Sequence, residues 1–281
     1  MRHTLRSTAV IVSLVLFVSL GWISSGQAHT PVNSSVVRNW NQLALTTVRV
    51  KSASDAQAAR LYAMVNVAIY DAVNGIASRH GSHDRDHALV PPDGAPAQGD
   101  PIAAAASAAH AVLVGLYPDL AAQYDAQLAS DLTGLGGTGP VSSGQQWGEH
   151  VGAQVLAARA NDGSSPDESQ PGGTGPGQFR ASWSGVQFRN LKPFAISDPN
   201  VYVSPGPPAL TSLDYAAGFA EVKLLGNAAI ADADKLATFQ YWSLGAGTSQ
   251  PPGAWIQVAL AVTNNRPLPL PEMARLFALL T

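Results

Sequence analysis

The sequence contains no cysteine. Disulfides, thiolate nucleophiles and cysteine-ligated metals are excluded, so packing and hydrogen bonds must hold the fold together. Charge is scarce: 12% of residues are Asp, Glu, Lys or Arg, and the formal net charge is −3. That leaves no basic footprint for nucleic acid. The period-two alternation of a half-buried strand is missing, which argues against a sheet. Beyond the first thirty residues no apolar run reaches the roughly 20 residues of a membrane crossing. Several catalytic signatures are missing too. There is no Gly-x-Ser-x-Gly elbow and no His-Glu-x-x-His zinc helix. "GGTGPG", Gly172–Gly177, is followed by Gln178-Phe179-Arg180. A phosphate-binding loop would carry Lys and Ser or Thr there, so this one is rejected.

What is present is apolar and small: 46% of residues are hydrophobic and 26 are glycine. This suits close-packed helices joined by plain loops. The first stretch reads as a secretory signal, with Arg2 and Arg6 before an apolar segment, Ala9 to Ile23, and small residues before a cut after Ala28. The expectation is a secreted or periplasmic protein with its signal in 1–28, its body in 29–281 and no membrane contact after cleavage. Cleavage removes two of the 16 basic residues and none of the 19 acids, taking the net charge from −3 to −5.

Helical spacing predicts helices over Ser35–Val50 and Ser54–Ile76, the second capped by Ser54 and ended by Gly75. Others are expected at Pro101–Leu116, continuing through Asp119–Leu132, and at Ser143–Ala160. A last group covers Thr211–Leu225, Asp232–Trp242, Ala254–Thr263 and Glu272–Thr281. The fold class is all-α. About fifty residues from Asn161 carry little periodicity yet include Phe179, Trp183, Phe188 and Phe194. They are expected to wrap the helices as ordered coil. One internal similarity stands out: "ARLYAMV" (Ala59–Val65) and "ARLFALL" (Ala274–Leu280).

Polar candidates within this frame are few. "SRHGSHDRDH", Ser78–His87, gathers three His and two Asp and could hold a metal or an oxyanion, but on a loop between helices it reads first as solvated surface. His110 and His150 lie in helices and are expected to be packed and hydrogen-bonded. Asp71 sits beside the apolar stripe of its helix, and a buried carboxylate there needs a partner, expected on another helix. Tyr241-Trp242 and Pro251–Trp255 could line a pocket, but core packing is the default.

Taken together, "RNWNQLALTTVRV", "ARLYAMVNVAIYDAVNGI", "AAASAAHAVLVGLYPDLAAQYDAQLASDL", "PPALTSLDYAAGFAEVKLLG" and "ATFQYWSLGAGTSQPPGAWIQVA" resemble, in this order, the bacterial vanadium-dependent haloperoxidases, relatives of the PAP2-type acid phosphatases. The resemblance runs from about Ser35 to Thr281. It implies two related helix bundles and a vanadate cofactor held by His, Lys, two Arg, Ser and a Gly N–H. Hydrogen peroxide and halide would be the substrates, or a phosphate ester in the phosphatase branch. The family's Lys…Arg-Pro, Pro-Ser-Gly-His and Ser-Arg…Gly-x-His motifs do not occur here. Arg266-Pro267 has no upstream Lys, and Ser143-Gly144 is followed by Gln145. No catalytic, cofactor-binding or metal residue carries over. The expectation is the N-terminal portion of such a protein, ending before the catalytic region and binding no vanadate itself. Its second bundle would be incomplete, with Leu276, Phe277 and Leu280 facing a core supplied elsewhere, by a C-terminal half or by a second copy. A non-catalytic helical interaction module is the other expectation.

Overall fold

A computed structural model describes residues 34–78, 88–227, 229 and 232–281. The proposed signal and, from Arg79 on, the Ser78–His87 cluster lie outside the described residues. The described chain is mostly helical, as its spacing predicts. The helices are α1 (Ser35–Lys51), α2 (Asp55–Ser78), α3 (Pro101–Leu116), α4 (Ala121–Leu132), α5 (Thr138–Ala158), α6 (Leu213–Leu225), α7 (Ala233–Trp242), α8 (Gln250–Asn265) and α9 (Leu270–Leu280).

Local chemistry sets most boundaries. Ser52 adopts a left-handed conformation, φ 47°, that closes α1. Ser54 and Gln57 then form a reciprocal capping box: Gln57 N–H donates to Ser54 Oγ at 3.3 Å and Ser54 N–H to Gln57 Oε1 at 3.0 Å. Asp100 caps α3 by accepting from the N–H groups of Ile102 and Ala103, ahead of Pro101 in the first turn. Pro118 interrupts the helical pattern with one 3₁₀ turn, Pro118–Leu120, before α4.

Several boundaries differ from expectation: α8 begins at Gln250 rather than Ala254 and α9 at Leu270 rather than Glu272, and two others have a visible cause. α2 does not end at Gly75 but runs to Ser78. Gly75 is there to admit Trp147, whose ring atoms would lie 2.6–2.9 Å from a Cβ. α5 begins at Thr138, five residues before the expected Ser143, because Pro140 is accommodated in its first turn.

The core lies where α2 meets α1, α3, α5 and α9. Trp40, Leu45, Leu61, Tyr62, Met64, Ile69, Leu113 and Phe277 are buried in it. α3 contributes mainly alanines, and α5 faces them with Gly144, Gly148 and Gly152, one every fourth residue on one side of the helix. A Cβ on Gly148 would sit 2.2 Å from the Ala104 carbonyl oxygen, and one on Gly144 would sit 2.3 Å from that of Asp100. The two backbones are therefore in direct contact. α8 is tied back by Tyr62 Oη donating to the Ser249 carbonyl (2.9 Å), Gln250 Nε2 to the Ala53 carbonyl (2.8 Å) and Arg38 to the Leu260 carbonyl (3.0 Å).

Between α1 and α2 two buried amides pair reciprocally: Asn41 Nδ2 donates to Asn66 Oδ1, and Asn66 Nδ2 to Asn41 Oδ1, each at 2.9 Å. Truncating one leaves the other's buried Oδ1 without its donor, while its Nδ2 keeps a carbonyl of its own helix. Asn66→Ala is expected to cost about 2 kcal/mol. The double variant Asn41→Ala/Asn66→Ala is expected to cost less than the two single losses combined, because it strands neither partner. A urea-denaturation double-mutant cycle checks this; strict additivity would refute the pairing.

The coil after α5 meets expectation only in part. Phe194 packs on the core, but Phe179 and Trp183 are exposed. A short antiparallel pair, β1 (Ser169–Gln170) and β2 (Trp183–Ser184), orders this segment. Its backbone pairing leaves no alternating apolar pattern to read in the sequence. The terminal helix is also corrected. Phe277 is fully buried within this chain, where α9 packs against α2, rather than facing an absent core. Leu276, Leu279 and Leu280 are exposed, so the correction applies to Phe277 alone.

Candidate functional site

Helical spacing on α2 puts Val67, Tyr70 and Asp71 on one face, and the same spacing on α9 puts Arg275, Ala278 and Leu279 on another. With Ala88, Leu89, Phe194 and Ala195 they enclose a cavity of about 430 Å³. Its walls are mainly apolar, with Tyr70, Asp71 and Arg275 as the polar side chains. Arg275 and Leu279 are exposed and mark the mouth. Asp71 is 1% exposed and marks the floor.

Asp71 was expected to pair with another helix. Instead its Oδ2 accepts the backbone N–H of Val90 at 2.8 Å, on the segment after α2. Its Oδ1 makes no hydrogen bond among the described residues. Burial pushes its pKa up to about 7, with the backbone N–H groups of Val90 and Leu89 opposing the rise. The carboxyl is thus shared between protonated and ionised forms near neutrality, an unusual state for an aspartate.

The Phe194 wall is fixed from behind. The Arg159 guanidinium lies 3.9 Å from the Phe194 ring centroid and donates to the carbonyls of Lys192 and Pro193. Its Nε also meets Asp162 Oδ2 at 3.0 Å, and Arg60 Nε meets the same oxygen at 2.7 Å. Burial alone would raise the Asp162 pKa, but hydrogen bonds from Ser164 and Arg60 hold it below the usual carboxylate value. Burial pulls the Arg159 pKa down, against the charge of Asp162. Sequence spacing gave no hint of this cluster. Its members come from α2, the end of α5 and the loop beyond.

The other sequence candidates disperse. His110 Nε2 lies 2.7 Å from Asp125 Oδ1, and its ring meets Trp40 edge-on, matching the packed and bonded expectation. His150, expected to be packed and hydrogen-bonded, is instead exposed, with its ring stacked on that of Trp147 at 5.5 Å. The Gly172–Gly177 turn is satisfied by its own chain, with Gly173 N–H donating to the Phe179 carbonyl and Gly175 N–H to Gln178 Oε1. Tyr241, Trp242 and Trp255 do not pack in the core; they are 72%, 57% and 60% exposed. Indeed none of the described residues of α6 and α7 is buried. Among the described residues no group of three His, Asp or Glu is placed to hold a metal.

Among the described residues no site fits vanadate. A trianion needs several cationic donors and a histidine converging on one cavity. The cavity above has a carboxyl at its floor and a single Arg at its mouth. Among the described residues, Arg60 and Arg159 converge, and both already grip Asp162. Comparison of the chain with protein-family models, curated proteins and solved structures gave no match.

Proposed function

We propose that this chain is the N-terminal helical part of an exported vanadium-dependent haloperoxidase-like protein, with the vanadate site outside these 281 residues. The family activity would be vanadate-dependent oxidation of halide by hydrogen peroxide, and the chain by itself is inactive. The ordered set of family-like stretches supports the haloperoxidase branch over the phosphatases. The observation that carries the scaffold reading is the outward apolar surface of α6 and α7. Leu213, Phe219, Val222, Leu224, Phe239, Tyr241 and Trp242 are all exposed. Surface of this kind, spread over two successive helices, marks a place for another helical body. The proposed cover is the family's second bundle, from a C-terminal segment or a second copy.

The test is bromination of a dye by the purified chain with orthovanadate, hydrogen peroxide and bromide. No vanadate-dependent turnover is expected; turnover that rises with vanadate would sink the proposal that the site lies elsewhere. Sequencing downstream of the Thr281 codon adds a second arm, in which Lys…Arg-Pro and Pro-Ser-Gly-His motifs support the reading. A non-catalytic interaction module is the second reading, favoured by the closed core around α2, α3 and α5. It expects sharp thermal unfolding with little binding of an apolar dye, whereas an uncovered scaffold binds the dye strongly before it unfolds.

A further inference from the structure

α8 is apolar on two sides. Gly253, Ile256 and Leu260 are buried against the core. Trp255, Val258 and Val262, three and four residues apart, form a second stripe, 60%, 50% and 55% exposed. Hydrogen bonds from Tyr62, Gln250 and Arg38 hold this helix on the core, so the stripe is a rigid ledge. α6 and α7 are the reverse case. They have no buried residue, and neither forms a packed interface with another described helix. Leu213 and Leu224 lie on one side of α6, Phe219 and Val222 on the other, and a helix apolar on both sides belongs inside a helical body. One chain thus carries an apolar ledge without a cover and two apolar helices without a seat. We propose that α6 and α7 of one copy pack on the α8 ledge of a second copy, and the reverse, in a two-fold dimer. This rests on the scaffold reading, in which the α6–α7 surface has a helical cover, and names that cover as a second copy of the chain.

Charge, area and linkage select this occupant. α8 has no charged residue from Gln250 to Asn265, and α6 and α7 together carry Asp214, Glu221 and Asp234 against Lys223 and Lys235. Neither surface has the one-sided charge that nucleic acid, an anionic membrane or a charged partner would need. Each suits another apolar helix face, and the chain itself supplies one. The exposed apolar side chains of α6 and α7 with the three of α8 offer, at roughly 100 Å² each, about 1,000 Å² per chain. Covering most of that on both chains exceeds the roughly 1,200 Å² at which specific interfaces begin. Reciprocal packing also closes after two copies, so no apolar face is left to recruit a third. The two helices are joined to the body by 203–212, with Pro205, Pro207 and Pro208, and by 244–249, with Gly245 and Gly247. Prolines hold the pair off its own body, and the glycines leave a hinge through which it can reach another.

The experiment is sedimentation equilibrium of the purified full chain over a concentration series, with the binding of an apolar dye read on the same samples. A dimer is expected, and dye binding should rise as dilution splits it. Val222→Lys on α6 and Val258→Glu on α8 alter side chains that are 70% and 50% exposed in the single chain, so each variant should fold, as far-UV circular dichroism checks. Each is expected to weaken association at least tenfold. Mixed in equal amounts, the two should form a dimer again, because one ledge and its cover are then intact and the other pair sets Lys against Glu. If Val222→Lys does not fold, Phe239→Lys on α7 replaces it. A dimer that neither substitution weakens overturns the proposal, as does a mixture that associates no better than the separate variants. A chain that stays monomeric up to its solubility limit also overturns it. Strong dye binding by that monomer leaves the scaffold reading standing, with its cover outside the chain; a monomer that binds no dye overturns both.

Discussion

Replacing Gly148 with valine is expected to lower the unfolding midpoint by roughly 10 °C, a loss of about 3 kcal/mol or more in a chain of this size. The reason is the nature of the neighbours. A Cβ at this position would lie 2.2 Å from the Ala104 carbonyl oxygen and 2.9 Å from both the Ala108 nitrogen and Ser107 Cβ. Two of these are backbone atoms of α3 and cannot rotate aside, so the helices must separate. Separation opens the alanine-lined interface along its whole length, because Gly144 and Gly152 depend on the same close approach. Alanine at 148 tests the argument more finely. It gains about 1 kcal/mol of helix propensity over glycine, yet it should still destabilise. The control is Gly218, in α6, where an added Cβ meets nothing within 4 Å. There Gly→Ala should stabilise by up to about 1 kcal/mol. Thermal melts followed by circular dichroism separate the two cases. Equal, mild effects at Gly148 and Gly218 would show that α3 and α5 are not in backbone contact.

This contrast also shows what the sequence could reveal. Local chemistry was legible: the Ser54 cap, the Pro118 break and the helical spacing of α1 to α4 all reappear in the structure. Glycine was harder, because one residue serves opposite purposes. Gly75 carries the usual mark of a helix end, yet it lies within α2 to make room for Trp147. Gly144, Gly148 and Gly152 look like helix-weakening residues until their spacing of four is set against the alanines of α3, and that spacing was the available signal. Aromatic content misled in the other direction. Tyr241, Trp242 and Trp255 are large and apolar, and core packing is the ordinary fate of such residues. Their exposure depends on which helices surround them, and no local pattern encodes that. The candidate cavity was half legible. Asp71 stood out as a carboxyl on an apolar helix, but Arg275 and Phe194 reach it from positions far along the chain. The Arg60–Asp162–Arg159 cluster, assembled the same way, was not legible at all.

Asp71 gives the last large effect, a loss of stability as pH rises. In the unfolded chain its pKa is the ordinary 3.8; in the folded protein burial raises it to about 7. Well below pH 3.8 both states hold the proton and no penalty applies. Between about pH 4 and pH 7 the folded state keeps a proton that the unfolded state has released, so each rise in pH favours unfolding. Above pH 7 the full penalty, roughly 4 kcal/mol, is in place. Other carboxyls contribute to the observed profile. Burial raises Asp131, which gives the same slope, whereas Asp162 is lowered and gives the opposite one. The difference between the parent chain and Asp71→Asn isolates the Asp71 contribution. Asparagine can still accept the Val90 N–H, but its amide group brings new donors into an apolar floor, at about 1–3 kcal/mol. The variant should therefore be less stable than the parent at pH 4 and more stable at pH 8. Urea denaturation at those two pH values checks the crossing. If the stability difference between the two proteins is the same at both, Asp71 does not titrate between them and its burial does not control its proton.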